Sequence, residues 1–234
     1  MSQGSVFARF RRCTAGISAI EFALIFPILL VLLLAGAQVI LYVKATSKVQ
    51  QIATSVSEML SQAAPTTATA TTATVSATDL NFSYDASLVI FPYIMADATQ
   101  RNIPWRQGLT VSFAGISFTK QNSSCDGQTD MSACYTATVN WTSTGTSTSN
   151  YRPCTPAQIA VDNSAPYNRG NLPRSLFGDG SIIAVDVSYT FNPTFGASLL
   201  QPVTITRSAF VQPRYVTRID FDPTNNTGIA SQCT

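Results

Sequence analysis

The chain contains no histidine, only 11% charged residues, and no basic cluster beyond residue 12. Without histidine the commonest general base and the commonest metal ligand are gone, which excludes Ser-His-Asp and Cys-His machinery and most zinc sites. A formal net charge of +2 with no basic face excludes an electrostatic nucleic-acid interface. The phosphate-cradling G-x₄-G-K-[ST] loop, the dinucleotide G-x-G-x-x-G, the G-x-S-x-G elbow and the EF-hand pattern are also missing. No catalytic residue, cofactor or metal site is assigned, and the expectation is a protein that is not an enzyme. What is abundant is apolar: 45% of the 234 residues, enough to build a packed core in one or two domains.

The few charges are unevenly placed. Arg9, Arg11 and Arg12 precede the first acid, Glu21, so residues 1–16 carry +3. Phe22 to Val43 then runs for 22 residues without a charge. As a helix this stretch reaches about 33 Å, against a hydrocarbon thickness of about 30 Å, so it is predicted to span a lipid bilayer. The three arginines put the amino terminus on the cytosolic side, although Lys44 and Lys48 on the other flank moderate the bias. Cysteine usage agrees with that orientation. Cys13 stands alone among the arginines, whereas Cys125, Cys134, Cys154 and Cys233 form an even set suited to two disulfides in an oxidising compartment. Four cysteines allow three pairings. The most local closure joins Cys125 to Cys134 and leaves Cys154 for Cys233.

Two features at the membrane entry exceed what a simple anchor needs. Gly16 is followed at Gly-x₄-Glu spacing by Glu21, and an acid adjoining a spanning helix is costly unless it has a partner or marks the headgroup boundary. Pro27 lies inside the apolar run, where it deprives the Ala23 carbonyl of its usual donor and predicts a kink.

At these residues the chain resembles a family. RRCTAGISAIEFALIFPILLVLLL is similar to the amino-terminal signature of the TadE-like pseudopilins, minor subunits of the tight-adherence (Flp, type IVc) pilus. The shared order is a basic leader, a Gly, four small or apolar residues, Glu-Phe-Ala-Leu, a Pro and a Leu-rich span. The resemblance implies cleavage by a prepilin peptidase between Gly16 and Ile17, with Glu21 becoming the acid at the fifth position of the mature chain. It further implies a bacterial inner-membrane, single-pass protein with a cytoplasmic amino terminus and a periplasmic carboxy-terminal domain. Its partners would be the lipid bilayer, the peptidase and other pilin or pseudopilin subunits. Two later segments, IIAVDVSYTFNPTF and TRSAFVQPRYVTRI, are similar to the family's ectodomain less specifically. The competing reading is a β-rich binding protein, membrane-anchored or secreted, with no pilus assembly role for Glu21. Secretion would follow from a signal peptide cut after Ala35-Gly36-Ala37 and before Gln38. The apolar QVILYV beyond that cut is a poor start for a soluble chain.

Helical periodicity continues past the span. Ala45, Val49, Ile52, Ala53, Val56, Leu60 and Ala63 recur at steps of three and four, and Pro65 is the first stop signal. The expected fold is α+β, with one long amino-terminal helix, half in lipid and half amphipathic, packed on an antiparallel sheet. The expected divisions are a leader over 1–16, the helix over 17–63, a flexible Thr/Ala-rich linker over 64–78 and an extracytoplasmic domain over 79–234. Within that domain Leu88, Phe91 and Met95 suggest a short helix interrupted at Pro92. Strands are expected at 109–119, 133–142, 181–191 and 203–212 from their alternation and β-branched content. In the third, Ile183 to Phe191 alternates with Asp186, Ser188 and Thr190, the pattern of a half-buried strand. Residues 143–180 form a polar insertion, and the tail after Asp220 has no assignment, with Asp220 and Asp222 taken as loop acids. Asp126 and Asp130 at Asp-x₃-Asp spacing read as a disulfide-closed turn in preference to a calcium loop.

Overall fold

A computed structural model describes residues 15–65, 67–121, 129–143, 152–166, 168–194 and 201–233, with side chains from Ile20 onward. Its residues fall into two units, Met1–Ala45 with Asn192–Pro202, and Thr46–Phe191 with Val203–Thr234.

Helix α1 runs unbroken from Ala15 to Ser61. The Leu- and Ala-rich composition favours it, and nothing before Gln62 interrupts the ladder except Pro27, which the helix carries in its interior. In the second unit Val49, Ile52, Ala53, Val56 and Leu60 are buried, so the amphipathic stripe is covered as its spacing requires. The helix closes where Ser61 O accepts the Arg214 amide at 3.0 Å.

The stretch read as a flexible linker is in part a strand, β1 (Thr72–Ser76), with Ala73 and Val75 buried. It pairs in parallel with β8 (Arg218–Asp222), setting Ala73 beside Ile219 and Val75 beside Phe221. Asp220 and Asp222 therefore lie on a strand, not in a loop. The correction has a plain cause: β-branched threonines suit a pleated edge, but the partner lies about 146 residues away and no local pattern announces it. Helix α2 (Ala77–Ile90) follows at once through a capping box in which Ser76 and Asp79 bond each other's backbone amides. Pro92 separates it from α3 (Tyr93–Gln100), so the expected short helix is two helices. Ile94 and Ala98 face inward there, whereas Met95 is exposed. A single turn, α4 (Trp105–Gly108), leads into the sheet.

The main sheet has five strands in the order β7-β6-β2-β3-β9. Strands β2 (Leu109–Lys120), β3 (Tyr135–Ser143), β6 (Ser181–Phe191) and β7 (Val203–Val211) occupy the expected places, all antiparallel to their neighbours. The unassigned tail supplies β9 (Ala230–Gln232) on β3 as well as β8. One face of the sheet carries Leu109, Val111, Phe113, Val185, Val187 and Tyr189, all buried. Tyr189 is enclosed, and desolvation, then the Asp97 carboxylate, hold its hydroxyl far above the ordinary tyrosine range.

The described part of the 143–180 insertion forms a lid on the opposite face. Its small parallel pair, β4 (Ile159–Val161) and β5 (Asn171–Pro173), and the turn Arg174–Leu176 bring Leu172 and Phe177 onto Ile116, Ala137, Val139, Ile182 and Ala184. This second core explains why β6 is buried on both faces from Ser181 to Val185 and alternates only from Asp186 onward. A disulfide joins Cys154, at the start of the lid, to Cys233, a sequence separation of 79.

Candidate functional site

The residues singled out for processing and assembly lie on the first half of α1. Gly16 and Ile17 are in helical backbone at its amino end, and their side chains fall outside the described residues. The leader residues 1–14, with Arg9, Arg11, Arg12 and Cys13, also lie outside them, as does Cys125. Glu21 is exposed on the helix, and among the described residues no ion pair includes it. One residue on, the rings of Phe22 and Phe26 stand 5.4 Å apart on one face, as i, i+4 spacing dictates. The helix continues across Pro27 and through Ala35-Gly36-Ala37, where the signal-peptide reading would cut it.

This half of α1 turns its apolar side chains outward. Between Ile20 and Val43, fifteen large hydrophobic residues are exposed, among them Leu24, Ile28, Leu32, Leu33 and Val39. Each would gain about 1.5–3 kcal/mol on burial, so as a water-facing surface the segment would forgo tens of kcal/mol. Helix Ile20–Ser61 is long and apolar enough to cross a membrane. One helix thus has two solvents: protein covers its stripe from Ala45 onward, and its first half fits a bilayer.

Chemically, this segment offers one exposed carboxylate at the edge of an apolar rod. Among the described residues it has no ion pair. Such a group can receive a positive charge from another molecule, and the surrounding hydrocarbon would strengthen that contact.

The other acids singled out from the sequence are otherwise engaged. Asp130 accepts the Ser132 amide at 2.9 Å and Arg174 Nη1 at 3.2 Å, and its bonds to Ser132 hold its carboxyl below the usual range. Its companion Asp126 lies outside the described residues. Among the described residues no group of three or more His, Cys, Asp or Glu is placed to hold a metal ion.

Sequence reasoning missed Arg152, which belongs to the insertion left without a role. It is fully buried, bonded to Asp186, to Gln158 Oε1 at 2.9 Å and to Asn171 O at 3.0 Å, with its guanidinium over the Phe210 ring. A buried arginine leaves no periodic signal. Only its position two residues before a bridged cysteine hinted at an anchored segment.

Residues 16–57 match the family model of TadE-like proteins. The matched stretch holds Gly16, Ile17, Glu21, Pro27 and the buried stripe as far as Val56, and points to a protein associated with the tight-adherence pilus. No curated protein and no solved structure matches the chain.

Proposed function

From this TadE-like amino-terminal segment, we propose that the chain is a minor pilin or pseudopilin, a structural or assembly subunit of a tight-adherence pilus, and not an enzyme. The observation that carries the reading is the coincidence of the family match with a single helix that is apolar outside over its first half and covered over its second. A subunit of that shape sits in the bacterial inner membrane by one pass, with the domain beyond α1 in the periplasm. A prepilin peptidase removes residues 1–16, leaving a new ammonium on Ile17. Glu21 of one subunit then takes up the Ile17 ammonium of a neighbour, which makes both charges tolerable within lipid. Pro27 gives the spanning helix a point of give during lateral packing, because one carbonyl there lacks its donor.

The test is Glu21→Gln. A neutral amide enters lipid more easily than a carboxylate, so membrane insertion and cleavage after Gly16 should persist. Loss of the carboxylate strands the partner's ammonium and costs about 3–5 kcal/mol. Crosslinking of the mature variant to other pilus subunits, at matched membrane levels, should fall by about a hundredfold or more. Association equal to wild type would remove Glu21 from the mechanism.

A further inference from the structure

The cations that flank the apolar run are few enough to weigh one by one. Arg9, Arg11 and Arg12 lie before it, Lys44 and Lys48 lie after it, and no Lys or Arg stands between Arg12 and Lys44. All five fall within about 15–20 residues of an end of the run, the range over which basic residues orient a spanning helix. Three against two favours a cytosolic amino terminus. Without residues 1–16 the balance becomes none against two, because Ile17 to Val43 holds no basic side chain. Glu21 does not change this, since acids contribute little to orientation, and a single Ile17 ammonium does not outweigh two lysines. Taken alone, the segment from Ile17 onward specifies the opposite orientation.

A folded domain holds a span in place, because it cannot follow the helix back through a bilayer. In this chain the domain closes late. The end of α1 is held by Arg214, whose amide donates to Ser61 O at 3.0 Å. The first strand after α1, β1, finds its partner only in β8, at Arg218–Asp222. Trp141 Nε1 donates to Ile219 O at 2.8 Å, and Gln232 Nε2 donates to Phe221 O at 2.7 Å. Last come β9 on the edge of β3 and the bridge from Cys154 to Cys233. Each of these contacts needs residues from Arg214 onward, so none forms until nearly the whole chain has crossed. Until then the orientation rests on the flanking cations.

We propose that residues 1–16 are the orientation signal of the span as well as its leader, and that their removal follows closure of the Cys154–Cys233 bridge. The order of events rests on the reading of Gly16 as a processing site and gives that step its timing. Closure is an oxidation: the two thiols pass two electrons and two protons to the disulfide of a periplasmic thiol oxidase, which becomes a dithiol. Hydrolysis of the Gly16–Ile17 peptide bond then consumes one water and leaves a carboxylate on Gly16 and an ammonium on Ile17. Cleavage in the reverse order would leave a span whose remaining lysines favour inversion and a domain with nothing yet to hold it outside. The arginines are expendable only once the carboxy-terminal strands have locked the domain onto α1.

The bridge itself reports orientation, because Cys154 and Cys233 stay reduced in the cytosol. The experiment uses the full chain in membranes of a host carrying the prepilin peptidase, with thiols trapped by alkylation and Cys154 and Cys233 mapped. Arg9→Gln, Arg11→Gln and Arg12→Gln together should lower the bridged fraction by about twofold or more. Lysine at the same three positions should leave it at the wild-type level, and adding Lys44→Gln and Lys48→Gln to the glutamine variant should restore most of it. Gly16→Leu should bridge as wild type does, so orientation is read even where cleavage fails. In a pulse-chase, chains beginning at Ile17 should carry the bridge at every time point. Full bridging in the glutamine variant, or a loss that Lys44→Gln and Lys48→Gln do not restore, overturns the orientation role. Early chains that begin at Ile17 with both thiols free overturn the timing. Wild-type chains that bridge and are never cut overturn the processing reading and the timing with it, while the orientation result stands.

Discussion

Arg152 grips Asp186 in a two-bond fork, Nε to Oδ2 at 2.8 Å and Nη2 to Oδ1 at 3.0 Å, with only 1% of the arginine side chain exposed. Ser208 adds a hydroxyl donor to Asp186 Oδ1 at 2.5 Å, so lid, β6 and β7 meet in one network. Removing one partner leaves a buried charge uncompensated. Arg152→Ala or Asp186→Asn should each cost about 3–5 kcal/mol, a loss of roughly 10 °C in melting temperature for a domain of this size. Replacing both, as Arg152→Met with Asp186→Leu, should recover part of the loss. Recovery stays partial because Gln158 and Ser208 keep polar atoms that have lost their partners. Thermal unfolding of the three variants decides it, and single variants as stable as wild type would show that the lid does not depend on the fork.

Gly115 should tolerate no side chain. A Cβ there would lie 2.2 Å from Nε1 of Trp141, whose indole is fully buried and donates to Ile219 O at 2.8 Å. The indole cannot move aside without giving up that bond and its place beside Phe221. Gly115→Ala should destabilise by about 1–3 kcal/mol, and adding Trp141→Phe should relieve the overlap while forfeiting the bond to β8. Denaturant midpoints for the two variants give the answer, and a Gly115→Ala midpoint equal to wild type would count against the packing described.

The Cys154–Cys233 bridge should act on the lid and on β9 first, because it ties their two ends together. Replacing both cysteines by serine should lower stability by about 2–4 kcal/mol. Amide exchange should rise in residues 152–177 and 230–233 well before it rises in β2 or β6. Uniform acceleration across the sheet would mean that the bridge holds the whole domain and not its cover.

The sequence announced the helix and the central strands because their patterns are local. The α1 stripe repeats at helical spacing, and β6 alternates from Asp186 to Phe191. It did not announce β1, β8 or the lid, whose order depends on partners far along the chain: Val75 on Phe221, Leu172 on Ile182, Arg152 on Asp186. The same limit concealed β6 as two-sided at its start, since Ile182 and Ala184 look polar-facing until a lid covers them. The features that single out the candidate site are local in the same way as the helix and central strands. Gly-x₄-Glu spacing and apolar length both lie within the 42 residues that match the family, and the basic leader lies just before them.

The most direct test of the assembly reading is the amino-terminal residue of the protein extracted from the membrane of a host carrying the prepilin peptidase. The account predicts Ile17. It also predicts that Gly16→Leu retains residues 1–16, because a side chain at the scissile position would obstruct the peptidase. Wild-type protein beginning at Gln38 would make the apolar helix a secretory signal, and wild-type protein retaining Met1 would make it an unprocessed anchor. Either result would contradict the pilus-subunit mechanism.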